Sequence, residues 1–264
     1  MKIGLCEKDL RGTLDKTLDW MQANDIEGFQ IWKGKMDGED CDAKTLLAKA
    51  GDRGLTVTSV GGGPNMVIPD QAEANIELFK TFLDLSVELG NGIVCAESKH
   101  RPEDLSVDDA WASTEKTVRA ICDHAESVGA VLAIEAAGPC FISDHEVYLE
   151  LKRRVGSDAL KVNYDPANIV WAGKDVIEGV KAVADDIVHT HAKDIAKVVQ
   201  GAEDTEEERL MDVPAGEGLV GYDTYIPALK AIGYDGFLTI EMHAGKEGRP
   251  DDILRSIANL KALL

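Results

Sequence analysis

Histidine, lysine and carboxylate side chains recur inside strand-like segments of the chain that are otherwise apolar. Residues 187–194 read Ile-Val-His-Thr-His-Ala-Lys-Asp, and strand alternation places His189, His191 and Lys193 on one face. Two imidazoles and an ammonium on a buried face need polar or charged partners. Three other strand-like segments supply one carboxylate each, namely Glu135, Asp165 and Glu241. If the four segments are neighbours in a closed parallel sheet, these side chains converge at one end of it.

The residues that would converge have the ligand types of a divalent-metal site: Glu135, Asp165, His191 and Glu241. Structural interpretations are also open. Glu135 could form a salt bridge to Lys161 or Lys193. Asp165 could cap the turn before Pro166, and the two histidines could be core residues bonded to the backbone.

An alternation of strand and helix patterns is repeated eight times along the chain. The predicted strands cover residues 2–7, 28–33, 56–60, 92–96, 131–137, 161–165, 187–194 and 236–243, each followed by a segment with helical periodicity. Eight such units match a single (β/α)8 TIM barrel over residues 1–264, with function at the C-terminal ends of the strands. The longest predicted loop covers about 195–221. A doubly wound sheet would need a phosphate-binding glycine pattern after the first strand, where the sequence has Glu7-Lys8-Asp9.

The composition is strongly acidic. The chain of 264 residues has 28 Lys plus Arg against 48 Asp plus Glu, for a formal charge of -20. Such a field repels phosphate backbones and anionic membranes, which argues against nucleic-acid and membrane partners and leaves small neutral or chelating substrates open. The sequence has no apolar run of about 20 residues and no signal core at its start, so we expect a soluble cytoplasmic protein. Five cysteines without a C-x-x-C pair are typical of reduced thiols. The sequence leaves open whether the protein forms a homo-oligomer.

Several of these segments resemble the motifs of one family. The matching stretches are Ile134-Glu135, Asp165-Pro-Ala-Asn168, His189-Thr-His191-Ala-Lys193-Asp194, Pro214-Ala-Gly-Glu217-Gly218 and Gly233-Tyr-Asp-Gly-Phe-Leu-Thr-Ile-Glu241. In this order, and over essentially the whole chain, they resemble the xylose isomerase-like TIM-barrel superfamily of sugar phosphate isomerases and epimerases.

The resemblance implies that Glu135, Asp165, His191 and Glu241 bind one divalent metal ion, most often manganese, with magnesium, cobalt or zinc as alternatives. It also implies that Glu135 and Glu241 are catalytic and exchange a substrate proton through an enediolate. Two positions differ from the family pattern. Asn168 stands where many members have histidine, and lysines rather than an arginine follow the histidine of the seventh strand. The identity of the substrate therefore does not transfer.

Further polar and aromatic side chains at the strand ends are candidates for binding a small carbohydrate: His189, Lys193, Asn168, Glu217, Trp32 and Trp171. The two tryptophans could cover the apolar face of a sugar or plug the barrel rim. We expect a metal-dependent isomerase or epimerase of a small sugar or keto-sugar. A lyase, either a dehydratase or an enzyme that cleaves 3-keto-glycosides by elimination, could use the same groups. An abasic-site endonuclease is disfavoured by the net charge, and a non-catalytic sugar-binding barrel by the presence of both glutamates.

Overall fold

Eight parallel strands form a closed barrel, which confirms the predicted (β/α)8 architecture of a single domain. The computed structural model describes residues 1–200, 207–242 and 249–264. Its strands are β1 (Lys2–Cys6), β2 (Gly28–Trp32), β3 (Thr56–Gly61), β4 (Ile93–Glu97), β5 (Val131–Glu135), β6 (Leu160–Tyr164), β7 (Ile187–Ala192), β8 (Asp194–Gln200), β9 (Glu207–Val213) and β10 (Phe237–Ile240). Strand β10 pairs with both β7 and β1 and so closes the barrel.

The helices alternate with the barrel strands, and several of them begin at a side chain that caps the first turn. They are α1 (Leu14–Ala23), α2 (Lys33–Gly38), α3 (Ala43–Gly51), α4 (Ala72–Glu88), α5 (Val107–Val128), α6 (His145–Val155), α7 (Pro166–Trp171), α8 (Val176–Ala182), α9 (Tyr222–Ala231) and α10 (Pro250–Leu263). The side chain of Ser106 accepts a hydrogen bond from the amide of Asp109 at the start of α5, and Gly129 ends this helix with φ of 75°. Within the described ranges, every helix is too short or too polar to span a membrane.

The barrel interior is closely filled near the start of the strands and polar further along them. A Cβ on Gly28 would lie 2.6 Å from Phe237 Cε1 and 2.8 Å from Thr58 Cγ2, so only glycine fits there. Further along, the interior holds the buried polar side chains of Asn163 and His189. Buried polar groups of this kind require hydrogen-bond partners, and Asn163 and His189 are partners of each other.

Strands β8 and β9 form an antiparallel hairpin within the segment predicted as the longest loop, residues 195–221. The prediction of a loop is therefore wrong for the residues of β8 and β9 and correct for residues 214–221, whereas residues 201–206 lie outside the described residues. Sequence patterns missed the hairpin because its strands carry charged and apolar side chains without a clear alternation. The predicted eighth strand also extended to His243, which lies outside the described residues.

Asp194, at the start of the hairpin, fixes the loop that follows the hairpin. Its Oδ2 accepts hydrogen bonds from the amides of Gly216 and Gly218 at 3.0 and 2.8 Å, and its Oδ1 accepts one from the amide of Val220 at 3.1 Å. A Cβ on Gly218 would clash with the Asp194 carboxylate. The motif that contains Gly218 therefore binds a carboxylate of this chain through its backbone.

Candidate metal centre and adjoining cleft

Four buried side chains meet at the C-terminal end of the barrel. Glu135 is the last residue of β5, Asp165 directly follows β6, His191 lies in β7, and Glu241 directly follows β10. Each offers one ligand atom, and these atoms all lie within 4.8 Å of one another. His191 Nδ1 lies 3.3 Å from Glu135 Oε2 and 3.4 Å from Glu241 Oε2. Neighbouring parallel strands bring the four residues together, as the sequence predicts.

Asp165 has one oxygen bound to the backbone and one directed at the other three residues. Oδ1 caps α7 by accepting hydrogen bonds from the amides of Ala167 and Asn168, at 2.8 and 3.2 Å. Oδ2 is buried and accepts no hydrogen bond from any residue that the structure describes, while Lys193 Nζ lies 3.8 Å away and His191 Nδ1 lies 3.9 Å away. A buried carboxylate oxygen without a hydrogen bond depends on nearby positive charge, which Lys193 supplies in part and which a bound cation would complete. The helix-cap and metal-ligand interpretations of Asp165 are therefore compatible, one for each oxygen.

The charges of the cluster also fit a divalent cation. Burial alone would lower the pKa of His191, but the carboxylates of Glu241 and Glu135 outweigh burial and raise it well above the usual imidazole value. Burial raises the pKa of Asp165 to about 7, although Lys193 acts in the opposite direction. Protons on these groups compensate negative charge that a bound cation would otherwise neutralise. Three carboxylates and one imidazole suit manganese, magnesium, cobalt or zinc.

The other nitrogen of His191 is bound inside the barrel. Nε2 lies 3.3 Å from Gln30 Oε1 and 3.7 Å from Cys6 Sγ, and Ser59 Oγ donates to the same Gln30 oxygen at 3.0 Å. Because Gln30 Oε1 can only accept, Nε2 carries a proton. The raised pKa of His191 means that Nδ1 also carries a proton, which faces the carboxylates and which a bound cation would displace. Gln30 thereby orients His191 within the cluster, a role that sequence patterns alone did not assign.

His189, predicted to bind substrate, lies within the barrel interior beneath the cluster. Its Nδ1 lies 2.8 Å from Asn163 Oδ1 and its Nε2 lies 3.1 Å from Thr239 Oγ1. Asn163 Nδ2 in turn donates to Glu135 Oε2 at 3.1 Å. Burial, followed by the neighbouring His191, lowers the pKa of His189 well below its usual value. A neutral His189 therefore holds Asn163, and through it Glu135.

The two glutamates have different neighbours. Glu135 accepts hydrogen bonds from neutral amides, including one from Asn168 Nδ2 at 2.8 Å. Glu241 accepts a hydrogen bond of 2.6 Å from Lys8 Nζ and one of 3.5 Å from Lys193 Nζ. Burial would raise the pKa of Glu241, but His191 and the two lysines lower it well below its usual value. Glu241 is thus held as an anion more strongly than Glu135.

Lys8 was not predicted as a site residue from the sequence. It connects Glu241 to Trp32, which was predicted to bind substrate. Its Nζ lies 4.2 Å from the centre of the Trp32 ring, within the range of a cation–π contact. Lys8 follows β1, and the pairing of β1 with β10 brings it next to Glu241. Trp32 therefore lies at the rim of the cluster on the side of Lys8.

A cavity of about 350 Å³ opens beside the cluster, between the barrel and the hairpin. Three of the predicted substrate-binding residues line it: Asn168, Trp171 and Lys193. The hairpin, which sequence patterns missed, contributes apolar side chains to the opposite wall. Glu217 is placed elsewhere, because its carboxylate pairs with Arg255 and accepts a hydrogen bond from Asn259, both on α10. The structure thus places Asn168, Trp171 and Lys193 next to the cluster. Glu217 does not lie there.

Asp9, next to Lys8, gives a test of the electrostatics at a residue outside the four-residue cluster. It is buried, its Oδ2 accepts a hydrogen bond of 2.8 Å from the amide of Met242, and burial followed by Glu241 raises its pKa to about 8. The folded state therefore binds this proton more tightly than the unfolded state, where the pKa is near 3.8. It follows that ionisation of Asp9 lowers stability progressively as the pH rises from about 4 to about 8.

The side chain in Asp9→Asn cannot ionise and can still accept the hydrogen bond from the amide of Met242. We therefore expect this variant to have a higher free energy of unfolding at pH 8 than the unmodified protein. The difference should be at least about 1 kcal/mol at pH 8 and should shrink toward pH 5. Urea unfolding at several pH values measures it. The exposed Asp158→Asn serves as the control, and the same pH trend in both variants would contradict the assignment.

The sequence of the chain matches the model of a known family of TIM barrels. The model of the xylose isomerase-like TIM barrel family matches residues 18–263, and the chain belongs to this family. This confirms the resemblance seen in the sequence motifs.

Two of the curated proteins that are related to the chain in sequence differ in how much of the chain they match. One is a putative L-ribulose-5-phosphate 3-epimerase of Haemophilus influenzae, 23% identical over 268 residues, which cover 94% of this chain and 91% of that protein. The other is an uncharacterized protein of Bacillus subtilis, 26% identical over 124 residues. That match covers 42% of this chain and only 39% of the length of the Bacillus protein.

Solved structures with the same fold include proteins with different activities. A probable 3-DHS dehydratase of Bacillus anthracis has a TM-score of 0.81 and 19% identity, with 99% of each chain covered. A D-psicose 3-epimerase of Clostridium cellulolyticum, solved with D-tagatose, has a TM-score of 0.79 and 17% identity over 100% of this chain and 98% of that one. An IOLI protein with a bound zinc atom has a TM-score of 0.79 and 19% identity over 100% and 96%. At these identities the similarity establishes the fold.

Proposed function

We propose that the protein is a divalent-metal-dependent enzyme that isomerises or epimerises a small sugar or keto-sugar by proton transfer. The observation that carries the proposal is the position of two buried glutamates, Glu135 and Glu241, at 3.3 and 3.4 Å from the same nitrogen of His191. Their strands lie on either side of β6 and β7, so the two carboxylates approach the cluster from different directions. Two such carboxylates can serve one substrate carbon as proton acceptor and proton donor.

Glu135, Asp165, His191 and Glu241 would hold the metal, with manganese as the first choice. The Oδ2 of Asp165, which accepts no hydrogen bond from a described residue, supports a divalent ion at this position, and a protein of the same fold binds a zinc atom. When bound, such an ion supplies Lewis-acid polarisation of the carbonyl and hydroxyl oxygens of a chelating substrate. The Lys193 ammonium, buried beside Glu241 and Asp165, adds positive charge where the oxyanion develops.

The neighbours of the glutamates assign their roles. Glu135, held by the amides of Asn163 and Asn168, is the better base, so its carboxylate removes the carbon-bound proton. The electron pair of the broken C–H bond moves into the double bond of an enediolate. Glu241, once protonated from solvent, returns a proton to the enediolate, and the Lys8 ammonium at 2.6 Å from its Oε1 stabilises the carboxylate that remains. Return to the same carbon from the opposite face gives epimerisation, and return to the neighbouring carbon gives aldose–ketose isomerisation.

The experiment that tests this proposal is proton exchange with solvent. Manganese-loaded protein is incubated in deuterated water with a panel of ketoses, keto-glycosides and their phosphates, and carbon-bound deuterium is followed by NMR. We expect deuterium to enter one substrate carbon without loss of water or of a substituent. Release of either would instead identify a lyase, which uses the same base and is represented among proteins of the same fold by a probable dehydratase. Absence of exchange with every member of the panel would contradict proton-transfer chemistry.

A further inference from the structure

The cavity beside the cluster extends away from the proposed reaction centre. At one end it is lined by Asn168 and Lys193, which bind Glu135 and Glu241 respectively. Its volume of about 350 Å³ lies within the range of roughly 300–1,000 Å³ found for sites that enclose drug-sized ligands. A substrate whose reactive carbon lies at the glutamates would therefore reach into the cavity with the part that does not react.

The wall of this cavity is mainly apolar. Ala167 and Ile195 contribute from the barrel side, and Leu210 and Met211 from β9 of the hairpin. Trp171, the last residue of α7, completes the wall, and the pyrrole part of its indole lies against the backbone of Gly138. Such a surface binds the flat apolar face of a ring better than an extended polyol.

Trp171 is also unusually exposed for its type. Its side chain is 51% accessible to solvent although it lies next to a buried cluster. An exposed indole on the wall of a cavity is a common feature of ligand-binding sites, because its hydrophobic face is covered when the ligand binds. A single small sugar at the glutamates would leave much of this face uncovered.

The cations of the cavity argue against a phosphate as the occupant. Lys193 is paired with Glu241 and with Asp165. Arg249 donates from Nε to Asp252 Oδ2 at 2.5 Å and from Nη1 to the carbonyl oxygen of Asp212 at 3.0 Å. Among the residues that the structure describes, both cations that line the cavity therefore already have partners, and a neutral group is favoured over an anion.

From size, wall and charge together, we infer that the cavity binds a neutral second ring carried by the substrate. The substrate class is then a keto-sugar with a ring-bearing glycosidic substituent, and the ring lies on the indole of Trp171. This inference rests on the proposed function for the position of the reacting sugar, but the ring contact itself can be measured without turnover.

The test compares two unreactive probes, phenyl β-D-glucopyranoside and methyl β-D-glucopyranoside, by calorimetry on the manganese-loaded protein. We expect the phenyl glycoside to bind about fivefold more tightly, the effect of one aromatic contact. Trp171→Ala should bind the two probes with about equal affinity, whereas Trp171→Phe should retain most of the preference for the phenyl glycoside. Val199→Ala, an exposed hairpin residue outside the cavity lining, is the matched control and should leave the preference unchanged.

Equal affinities for the two probes, or a preference that survives Trp171→Ala, would overturn the inference. Displacement of the phenyl glycoside by inorganic phosphate would also overturn it, because the cavity would then be an anion site. Circular dichroism verifies that each variant is folded. The outcomes remain separable from those of the proposed function. A phenyl preference without deuterium exchange contradicts only the proton-transfer proposal, and exchange without a phenyl preference contradicts only the ring site.

Discussion

Replacing Glu135 with glutamine is expected to lower turnover by roughly 10²- to 10⁴-fold, the contribution of a positioned general base. Glutamine has nearly the same shape and can still be held by Asn163 and Asn168, so we expect the fold to remain intact. The steady-state rate is measured on the sugar that exchanges deuterium, at saturating metal. Glu241→Gln should cause a loss of the same order, because this residue returns the proton.

Glu97→Gln is the matched control for this comparison. Glu97 is the direct neighbour of Glu135 in the register of β4 and β5, but it is more exposed and pairs with Lys99. We expect its turnover to change by less than about threefold, which is small beside the effect of a general base. If Glu135→Gln kept normal turnover, Glu135 would have to be removed from the mechanism.

The second large effect is expected when the metal is removed. Dialysis against a chelator should abolish turnover, and added manganese should restore it. Because a metal that binds only the folded state stabilises it, the chelated protein should also unfold at a lower temperature. Full activity after exhaustive chelation would contradict a metal-dependent reaction.

Asp165→Asn separates metal binding from proton transfer. Asparagine can keep the cap of α7 through its side-chain oxygen but loses the negative charge that Oδ2 directs at His191 and the glutamates. We expect manganese affinity to fall by at least about 100-fold, since loss of an outer-shell partner alone typically causes a 10- to 100-fold loss. Turnover at saturating manganese should recover far more than in Glu135→Gln. Calorimetric titration with manganese measures the affinity of both variants, and steady-state rates at saturating manganese measure their turnover.

The ligand cluster could be predicted from the sequence because a carboxylate in an apolar strand is energetically unusual. Glu135 and Glu241 each interrupt a buried apolar run, and such a position is stable only with a compensating charge. The repeated alternation then placed their strands in one barrel. Local patterns and barrel geometry were sufficient for this part of the site.

The surroundings of the cluster could not be predicted, because they depend on contacts between distant parts of the chain. Lys8 is an ordinary charged residue after β1, and only barrel closure places it on Glu241. Gln30 has no local signal for its contact with His191. Glu217 belongs to a family-like motif, yet Arg255 of the last helix binds its carboxylate. Each of these pairings joins residues that are far apart in sequence.

The most direct test of the metal centre is the metal content of the protein. Protein purified without chelator is analysed for bound metals, together with Asp165→Asn prepared in the same way. Because Glu135, Asp165, His191 and Glu241 form one compact cluster, we predict about one divalent ion per chain and a strong loss of that ion in the variant. Two or three zinc ions per chain, or no bound divalent ion after purification in manganese-containing buffer, would contradict a single metal centre at these four residues.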